Sequence, residues 1–201
     1  MGYLGTGSEL LNSHIENPDN ISIGKYSTIS RSKIKGPFGV ARHSFISRCI
    51  IGKYVTIGSR CSVGAFNHPL DWLSTNEFQF KDMSPYYGFS IPEAKLCKAP
   101  SEDIFTTIKN DVWIGDNAIL KQGITVETGC IIGAGSVLTK STQPYCIYTG
   151  NPARPLKARF SEDIIQRLLA TCWWDLSVEQ ISSIKFDNIE IALAQLEAIL
   201  T

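Results

Sequence analysis

A six-residue period in the second half of the chain constrains its fold more than any other feature. From residue 108 an aliphatic residue recurs at every sixth position: Ile108, Ile114, Leu120, Val126, Ile132 and Leu138. The fifth position of each hexad is small or aliphatic: Val112, Ala118, Ile124, Cys130, Ser136 and Thr142. An earlier block shows the same pattern at Phe45, Ile51, Ile57 and Val63, with Cys49, Val55 and Cys61 in the fifth positions. A fainter start is visible at Ile23, Ser27 and Ile29.

A period of six excludes an amphipathic helix, whose apolar positions recur every 3.6 residues. It is typical of short strands joined by tight corners, so that each hexad forms one side of a triangular coil. The aliphatic side chain points inward, and the small fifth residue fits the corner. Successive coils stack about 4.8 Å apart and pair as parallel strands. The sequence therefore predicts a mainly β protein built as a parallel β-helix.

Two segments depart from this period. Residues 64–107 show no hexads and contain eight of the twenty aromatic residues. We expect this segment to be a functional loop extruded from a corner of the coil. Residues 161–201 carry helical patterns instead, which predicts a β-helix domain over residues 1–160 and a helical extension over 161–201. We expect the helices to cover the open end of the coils.

Three residues are predicted to start the helices of this extension. Ser161 precedes a helix with an apolar face, and Ser177 with Gln180 resembles a capping box. Asp187 is expected to cap the last helix.

Composition excludes several classes of protein. Nineteen basic and nineteen acidic residues give a net charge of zero, which disfavours binding to nucleic acid or to an anionic membrane surface. No apolar run is long enough to span a membrane, and the first basic residue is Lys25, so a secretory signal is not expected. Six cysteines form no C-x-x-C pair, which favours a reducing, cytoplasmic location. Phosphate-binding P-loop and Rossmann motifs are absent.

His68 is the main candidate for chemistry, because it lies at the root of the predicted loop and histidine is suited to proton transfer near neutral pH. Asn67 or Asp71 could orient its ring or the substrate. His14 and His43 are assigned to structure or surface. The three histidines lack the close spacing of a metal site, so we expect no metal, although coils or subunits could still bring ligands together.

A second candidate is the basic segment 140–159. It contains Lys140, Arg154, Lys157 and Arg159 without any acidic residue, a pattern that suits a phosphate cradle as well as a solvated linker.

Three motifs in order resemble the hexapeptide-repeat acyltransferases, whose fold is a left-handed parallel β-helix. They are residues 111–119 (DVWIGDNAI), 132–140 (IGAGSVLTK) and 150–154 (GNPAR). The tail from Arg159 to Asp175 is similar to the xenobiotic acetyltransferase branch, as is the segment from Asn67 to Phe78. That segment has one residue more before Ser74 than the antibiotic enzymes usually have, and Glu77 where they usually have proline. The longer loop is closer to acetyltransferases of sugars.

The resemblance implies an acetyl-CoA-dependent acetyltransferase that forms a homotrimer, with each site in a groove between two subunits. His68 matches the general base, and Asn67, Asp71 and Trp72 belong to the segment that would bind the acceptor. The positions that match contacts to CoA are Trp113, Gly115, Asp116, Ala134, Thr139, Lys140, Arg154 and, with less support, Arg159. A sugar hydroxyl is the first choice of acceptor, and an antibiotic hydroxyl is the second.

Two other readings remain open from the sequence. A γ-carbonic-anhydrase-like enzyme on the same coil would bind zinc through three histidines between subunits. A β-helix with an ice-binding surface would need flat Thr-x-Thr ladders, which this sequence lacks.

Overall fold

The computed structural model describes residues 3–16, 18–65, 67–88, 92, 96–99 and 103–200. Its centre is a left-handed parallel β-helix in which the chain passes through three sheets in turn, here named A, B and C. This arrangement confirms the fold predicted from the hexads. Phe66 and Phe89, two aromatics of the predicted loop, lie outside the described residues.

Sheet A supplies one strand per coil and then one antiparallel strand. Its members are β1 Tyr3–Leu4, β4 Ile21–Ile23, β7 Phe38–Val40, β10 Val55–Ile57, β13 Trp113–Ile114, β16 Ile131–Ile132, β18 Cys146–Gly150 and β19 Ala153–Ala158. The first seven are parallel, and β19 pairs antiparallel with β18.

The other two sheets are entirely parallel. Sheet B contains β2 Glu9–Leu11, β5 Thr28–Ser30, β8 Phe45–Ser47, β11 Ser62–Ala65, β14 Ile119–Lys121 and β17 Val137–Leu138. Sheet C contains β3 His14–Ile15, β6 Lys33–Ile34, β9 Cys49–Ile51, β12 Thr106–Ile108 and β15 Thr125–Val126. Turns join the sheets along three edges of the prism, which we call the A–B, B–C and C–A edges.

The core is a column of inward-facing aliphatic residues, as the period predicts. All six aliphatics from Ile108 to Leu138 are at most 1% exposed. The small fifth residues lie buried at the corners, and their polar atoms form hydrogen bonds: Ser27 Oγ donates to the Ala41 carbonyl at 2.6 Å and accepts from the Ser44 amide at 3.1 Å.

The prediction of Phe45 as an inward residue is wrong. Phe45 is 44% exposed, and its neighbour Ile46 fills the core with no exposure. Equivalent core residues in the early coils are 17 residues apart, as Ile29 and Ile46 are, whereas those after the loop are 18 apart, as Ile114 and Ile132 are. One side of each early coil is therefore a residue shorter, which breaks the hexad phase there.

The C-terminal extension contains α2 Glu162–Thr171, a 3-10 turn Trp173–Asp175, α3 Val178–Ser182 and α4 Ile189–Leu200. Ser161 caps α2, and the capping box of Ser177 and Gln180 is present. Asp187 is wrong as the last cap, because Asn188 Oδ1 accepts the amides of Glu190 and Ile191, each at 3.1 Å.

The extension packs against the C–A edge of the coils. Lys53 Nζ pairs with Asp175 at 2.9 Å, and the Tyr54 and Trp173 rings lie 5.1 Å apart. The predicted placement over the end of the coils is therefore incomplete, since these helices run beside several coils. The last parallel strand of sheet A, β18, is covered by β19 instead.

Candidate active site

The extruded loop leaves the coil at the B–C edge, between β11 and β12, and contains the 3-10 turn Glu77–Gln79 and the short helix α1 Ser84–Tyr87. Its two ends are joined by the buried side chain of Gln122 from the next coil. Gln122 Nε2 donates to the Ile104 carbonyl at 2.8 Å, and Gln122 Oε1 accepts from Asn67 Nδ2 at 3.4 Å. Asn67 therefore anchors the loop one residue before His68.

His68 has a defined orientation although its side chain is about half exposed. Its Nδ1 lies 2.6 Å from the carbonyl oxygen of Thr75. Because a carbonyl only accepts, this contact requires a proton on Nδ1, and the neutral ring then carries its lone pair on Nε2. In this tautomer Nε2 is the ring nitrogen that can accept a proton.

The turn after Thr75 keeps that carbonyl in place through local hydrogen bonds. Gln79 Nε2 donates to the Ser74 carbonyl at 2.6 Å, and Asn76 Oδ1 accepts from the Phe78 amide at 3.2 Å. The short polar side chains of Ser, Asn and Gln favour such turns because they bond to nearby backbone groups.

Glu77, which the sequence analysis mentions only as a departure from the antibiotic enzymes, lies next to His68. Its Oε1 lies 3.9 Å from His68 Nε2, and its Oε2 lies 3.2 Å from Lys81 Nζ. The carboxylate can stabilise an imidazolium after proton transfer, while Lys81 balances its charge. The i,i+4 spacing to Lys81 was the available signal for this pair.

The two remaining loop candidates lie in different environments. Trp72 is partly buried and packs edge to face on Phe80, with ring centroids 6.3 Å apart. Asp71 is exposed, whereas Leu70 and Leu73 beside it project fully into solvent. Full exposure of two leucines is typical of a surface that contacts another molecule.

The A–B edge carries three of the eight positions predicted to contact CoA. Gly115 and Asp116 form the turn after β13, and Ala134 lies in the same turn one coil further on. Asp116 Oδ1 accepts from the Ser59 amide at 2.8 Å, so this carboxylate caps the turn of the preceding coil. A Cβ on Gly115 would lie 2.7 Å from the Ala134 nitrogen, which explains glycine at this position.

Trp113 and Arg154 border the same edge. Trp113 is 55% exposed on the outer face of sheet A, one residue before the core residue Ile114. Arg154 is exposed on β19, paired with Thr149 of β18.

Thr139 and Lys140 lie on the B–C edge, directly after β17. Lys140 is exposed and Thr139 is partly buried. This edge also bears His68, two coils earlier.

Arg159 lies on the third edge, so the structure does not bring it together with the other candidates. Its Nη1 donates to the Gly129 carbonyl at 2.7 Å and pairs with Asp111 Oδ2 at 3.2 Å. Its guanidinium lies over the rings of Tyr145 and Phe160, 5.4 and 5.2 Å from the centroids. These contacts join the coil to the helical extension, and a contact to CoA stays a prediction.

The cysteines offer no obvious nucleophile. Cys49, Cys61, Cys130 and Cys146 are buried, and burial raises the pKa of the Cys49 thiol to about 12. Burial also raises the pKa values of the other three thiols. Cys97 and Cys172 are exposed. A covalent acyl-cysteine is therefore not supported at the buried positions.

Across the described ranges, no three His, Cys, Asp or Glu side chains are grouped closely enough to hold a metal ion. In the same part of the chain, no helix combines the length and apolar character needed to cross a bilayer.

Comparison with known proteins identifies the family. Residues 105–140 match the family model described as bacterial transferase hexapeptide (six repeats). A chloramphenicol acetyltransferase of Klebsiella aerogenes is 35% identical over 87% of this chain and 84% of its own length. A probable macrolide acetyltransferase of Lysinibacillus sphaericus is 37% identical over 74% of this chain and 78% of its own length.

A solved maltose O-acetyltransferase from Clostridium difficile aligns over 79% of this chain and 70% of its own, at 22% identity and a TM-score of 0.46. The family-model match and the long, 35%-identical relative confirm the resemblance seen in the motifs. On these grounds the chain belongs to the hexapeptide-repeat acetyltransferases.

Proposed function

We propose that this acetyltransferase transfers the acetyl group of acetyl-CoA directly to a hydroxyl of a small acceptor, with His68 as the general base. The observation that supports the proposal is the 2.6 Å contact between His68 Nδ1 and the Thr75 carbonyl, because this contact requires the proton on Nδ1 and so puts the lone pair of the neutral ring on Nε2. The half-exposed ring is accessible to an acceptor from outside the coil.

The reaction follows from these groups. As Nε2 takes the proton, the acceptor oxygen attacks the thioester carbonyl, a C–O bond forms and the C–S bond breaks. Glu77 stabilises the imidazolium, and a backbone N–H of the groove stabilises the oxyanion. The proton on Nε2 then passes to the leaving thiolate, which yields free CoA and the base in its starting form.

We propose further that the active enzyme is a homotrimer. Ala134 on the A–B edge and Thr139 on the B–C edge are five residues apart along sheet B, a span of about 16 Å in an extended strand. One narrow groove of a single chain does not include both edges. A groove between the A–B edge of one copy and the B–C edge of another does.

The distribution of exposed apolar residues supports this packing. Trp113 on sheet A is exposed, as are Phe45 and Ile119 on sheet B, and these two faces flank the A–B edge. Within the described chain, the strands of sheet C contribute no exposed large apolar residue. Sheet C is therefore the face that suits solvent.

A sugar hydroxyl is our first choice of acceptor. The extra loop residue before Ser74 and the presence of Glu77 both depart from the pattern of the antibiotic enzymes. The chloramphenicol and macrolide acetyltransferases among the relatives favour an antibiotic hydroxyl as the second candidate.

An acceptor screen tests the proposal. Purified protein is incubated with acetyl-CoA and panels of sugars and hydroxylated antibiotics, and thiol release is followed. His68→Ala should lower kcat by about 10²–10⁴ while acetyl-CoA still binds. His14→Ala, at an exposed histidine in β3, is the matched control and should retain full activity. Undiminished turnover in His68→Ala would exclude His68 as the base.

A further inference from the structure

The neutral total charge conceals a strongly uneven distribution. Residues 20–70 contain no aspartate or glutamate, although they make up three coils of the β-helix. The same segment contains eight of the nineteen basic residues: Lys25, Arg31, Lys33, Lys35, Arg42, Arg48, Lys53 and Arg60. These coils therefore carry a local excess of positive charge that the net charge of the chain does not show.

The fold directs five of these eight residues to the two edges that border sheet B. Lys25, Arg42 and Arg60 lie in successive turns of the A–B edge, and Arg31 and Arg48 lie in turns of the B–C edge. A backbone ladder aligns the A–B turns, since the His43 amide donates to the Lys25 carbonyl at 2.9 Å and the Arg60 amide to the Arg42 carbonyl at 3.0 Å.

The basic side chains of the A–B edge are available to a ligand. Lys25, Arg42 and Arg60 are all exposed, and none forms an ion pair with a carboxylate of the described residues. Arg60 Nε donates to Asn117 Oδ1 at 2.8 Å, which leaves its terminal nitrogens free of that bond. Asp116 lies one coil beyond Arg60 on this edge and already caps Ser59, and Glu9 begins β2 one coil before Lys25.

Aromatic surface accompanies these charges. The rings of Tyr26 and His43 are stacked, with centroids 5.2 Å apart and an angle of 18° between the planes. Tyr26 is 57% exposed, and its ring contacts Gly7 as well as His43, since a Cβ on Gly7 would lie 2.7 Å from Tyr26 Cδ1; the stack therefore presents ring edges beside Lys25 and Arg42. These edges add apolar surface beside the charges, and the guanidinium fork of arginine matches phosphate oxygens.

The positions of the basic residues and of His68 can be compared along the axis of the β-helix. His68 leaves the coil that contains Arg60, whereas Arg42 and Lys25 lie one and two coils further toward the N-terminus. At about 4.8 Å per coil these offsets are roughly 5 and 10 Å. The predicted CoA positions Asp116 and Ala134 lie on the opposite, C-terminal side of that level.

We infer that this basic A–B edge binds the acceptor, and that the acceptor is a sugar bearing a phosphate or diphosphate group. The inference rests on the proposed function and trimer, in which the A–B edge of one copy faces His68 of another. Along the coil axis, a phosphate between Arg42 and Lys25 is offset by roughly 5–10 Å from the coil that His68 follows, which is about the length of a hexose phosphate. CoA occupies the C-terminal half of the groove and the acceptor the N-terminal half.

Binding and kinetics with matched acceptors test the inference. A hexose, its 1-phosphate and the corresponding uronic acid are titrated by calorimetry into protein saturated with CoA, and each is also assayed for acetylation. The phosphate should bind at least about tenfold more tightly than the neutral sugar, as expected for charge-assisted hydrogen bonds. Equal binding of the sugar and its phosphate, or tighter binding of the uronate, would overturn the inference.

Charge-neutralising variants locate the effect. The double variant Lys25→Gln/Arg42→Gln should raise the Kd of the phosphate about tenfold or more while the Kd of CoA is unchanged. Lys33→Gln/Lys35→Gln, in the same early coils but on sheet C and the C–A edge, is the control and should bind as the wild type does. Equal effects of the two double variants would show general attraction by charge and contradict the assigned edge.

These experiments distinguish a failure of this inference from a failure of the proposed function. If neutral hydroxyls are acetylated in a His68-dependent reaction and phosphate gives no advantage, the function stands and the inference fails. If phosphate binds at the edge but His68→Ala has no effect on turnover, the acceptor surface stands and the role of His68 fails.

Discussion

Gly115→Ala should both destabilise the coil and weaken acetyl-CoA binding. The added Cβ would lie 2.7 Å from the Ala134 nitrogen and 3.0 Å from its Cα. Reaching an ordinary contact of 3.4 Å requires the Ala134 turn to move by about 0.7 Å. The Gly115 amide donates to the Ile132 carbonyl at 2.8 Å, and a comparable movement of that carbonyl would stretch the bond to the limit of a hydrogen bond.

Overpacking of this kind costs about 1–3 kcal/mol, which corresponds to a fall in Tm of about 2–12 °C for a chain of this size. Because Ala134 is displaced from the A–B edge, the KM for acetyl-CoA should rise as well. Thermal unfolding and initial rates measure the two effects.

Gly39→Ala is the matched control for Gly115→Ala. Gly39 is in another strand of sheet A, and an added Cβ would meet nothing within 4 Å. This variant should be neutral or slightly stabilised, because alanine reduces the freedom of the unfolded chain. If Gly115→Ala and Gly39→Ala have the same Tm and the same KM, the tight stacking inferred at the A–B edge is wrong.

Three further outcomes are expected. Lys140→Ala should raise the KM for acetyl-CoA with little change in kcat, and an unchanged KM would remove Lys140 from the CoA site. Iodoacetamide at pH 8 should modify the exposed Cys97 and Cys172 in the native protein but not the buried Cys49. The thiolate of Cys49 becomes abundant only as the pH approaches its pKa of about 12. Mass spectrometry of a digest identifies the labelled cysteines, and early labelling of Cys49 would contradict this expectation. Arg159→Met should lower Tm by about 3–10 °C through loss of the Asp111 and Gly129 contacts, and a variant with normal Tm but a raised KM for acetyl-CoA would move Arg159 to the donor site.

The β-helix could be predicted because every side of a coil needs one inward-facing aliphatic residue, and this requirement recurs at every sixth position. That signal failed at Phe45, where a five-residue step in the early coils shifts the inward position to Ile46. A repeat of 17 residues, the length of one early coil, connects the inward residues Ile29, Ile46 and Val63.

Candidate site residues could be named from the sequence, but their distribution over the edges of the β-helix could not. The sequence motifs assigned His68, Ala134 and Arg159 to one site. The fold instead distributes them over the B–C, A–B and C–A edges, respectively. The contact of His68 with Thr75 and Glu77 depends on the folding of an irregular loop, for which the sequence has no periodic signal. The helix caps Ser161 and Ser177 could be predicted because a cap depends only on neighbouring residues. The prediction of Asp187 was one residue too early, because the adjacent Asn188 caps the helix.

Complementation between two inactive variants tests the intersubunit site most directly. His68→Ala removes the base from the B–C edge, and Ala134→Trp should block the donor groove at the A–B edge, so each homotrimer should be inactive. If each site combines one edge from each of two copies, mixed trimers refolded from equal amounts should regain about a quarter of wild-type thiol release, since one interface in four combines an intact His68 with an intact Ala134. A mixture as inactive as its two components would show that edges from two different copies do not form one site.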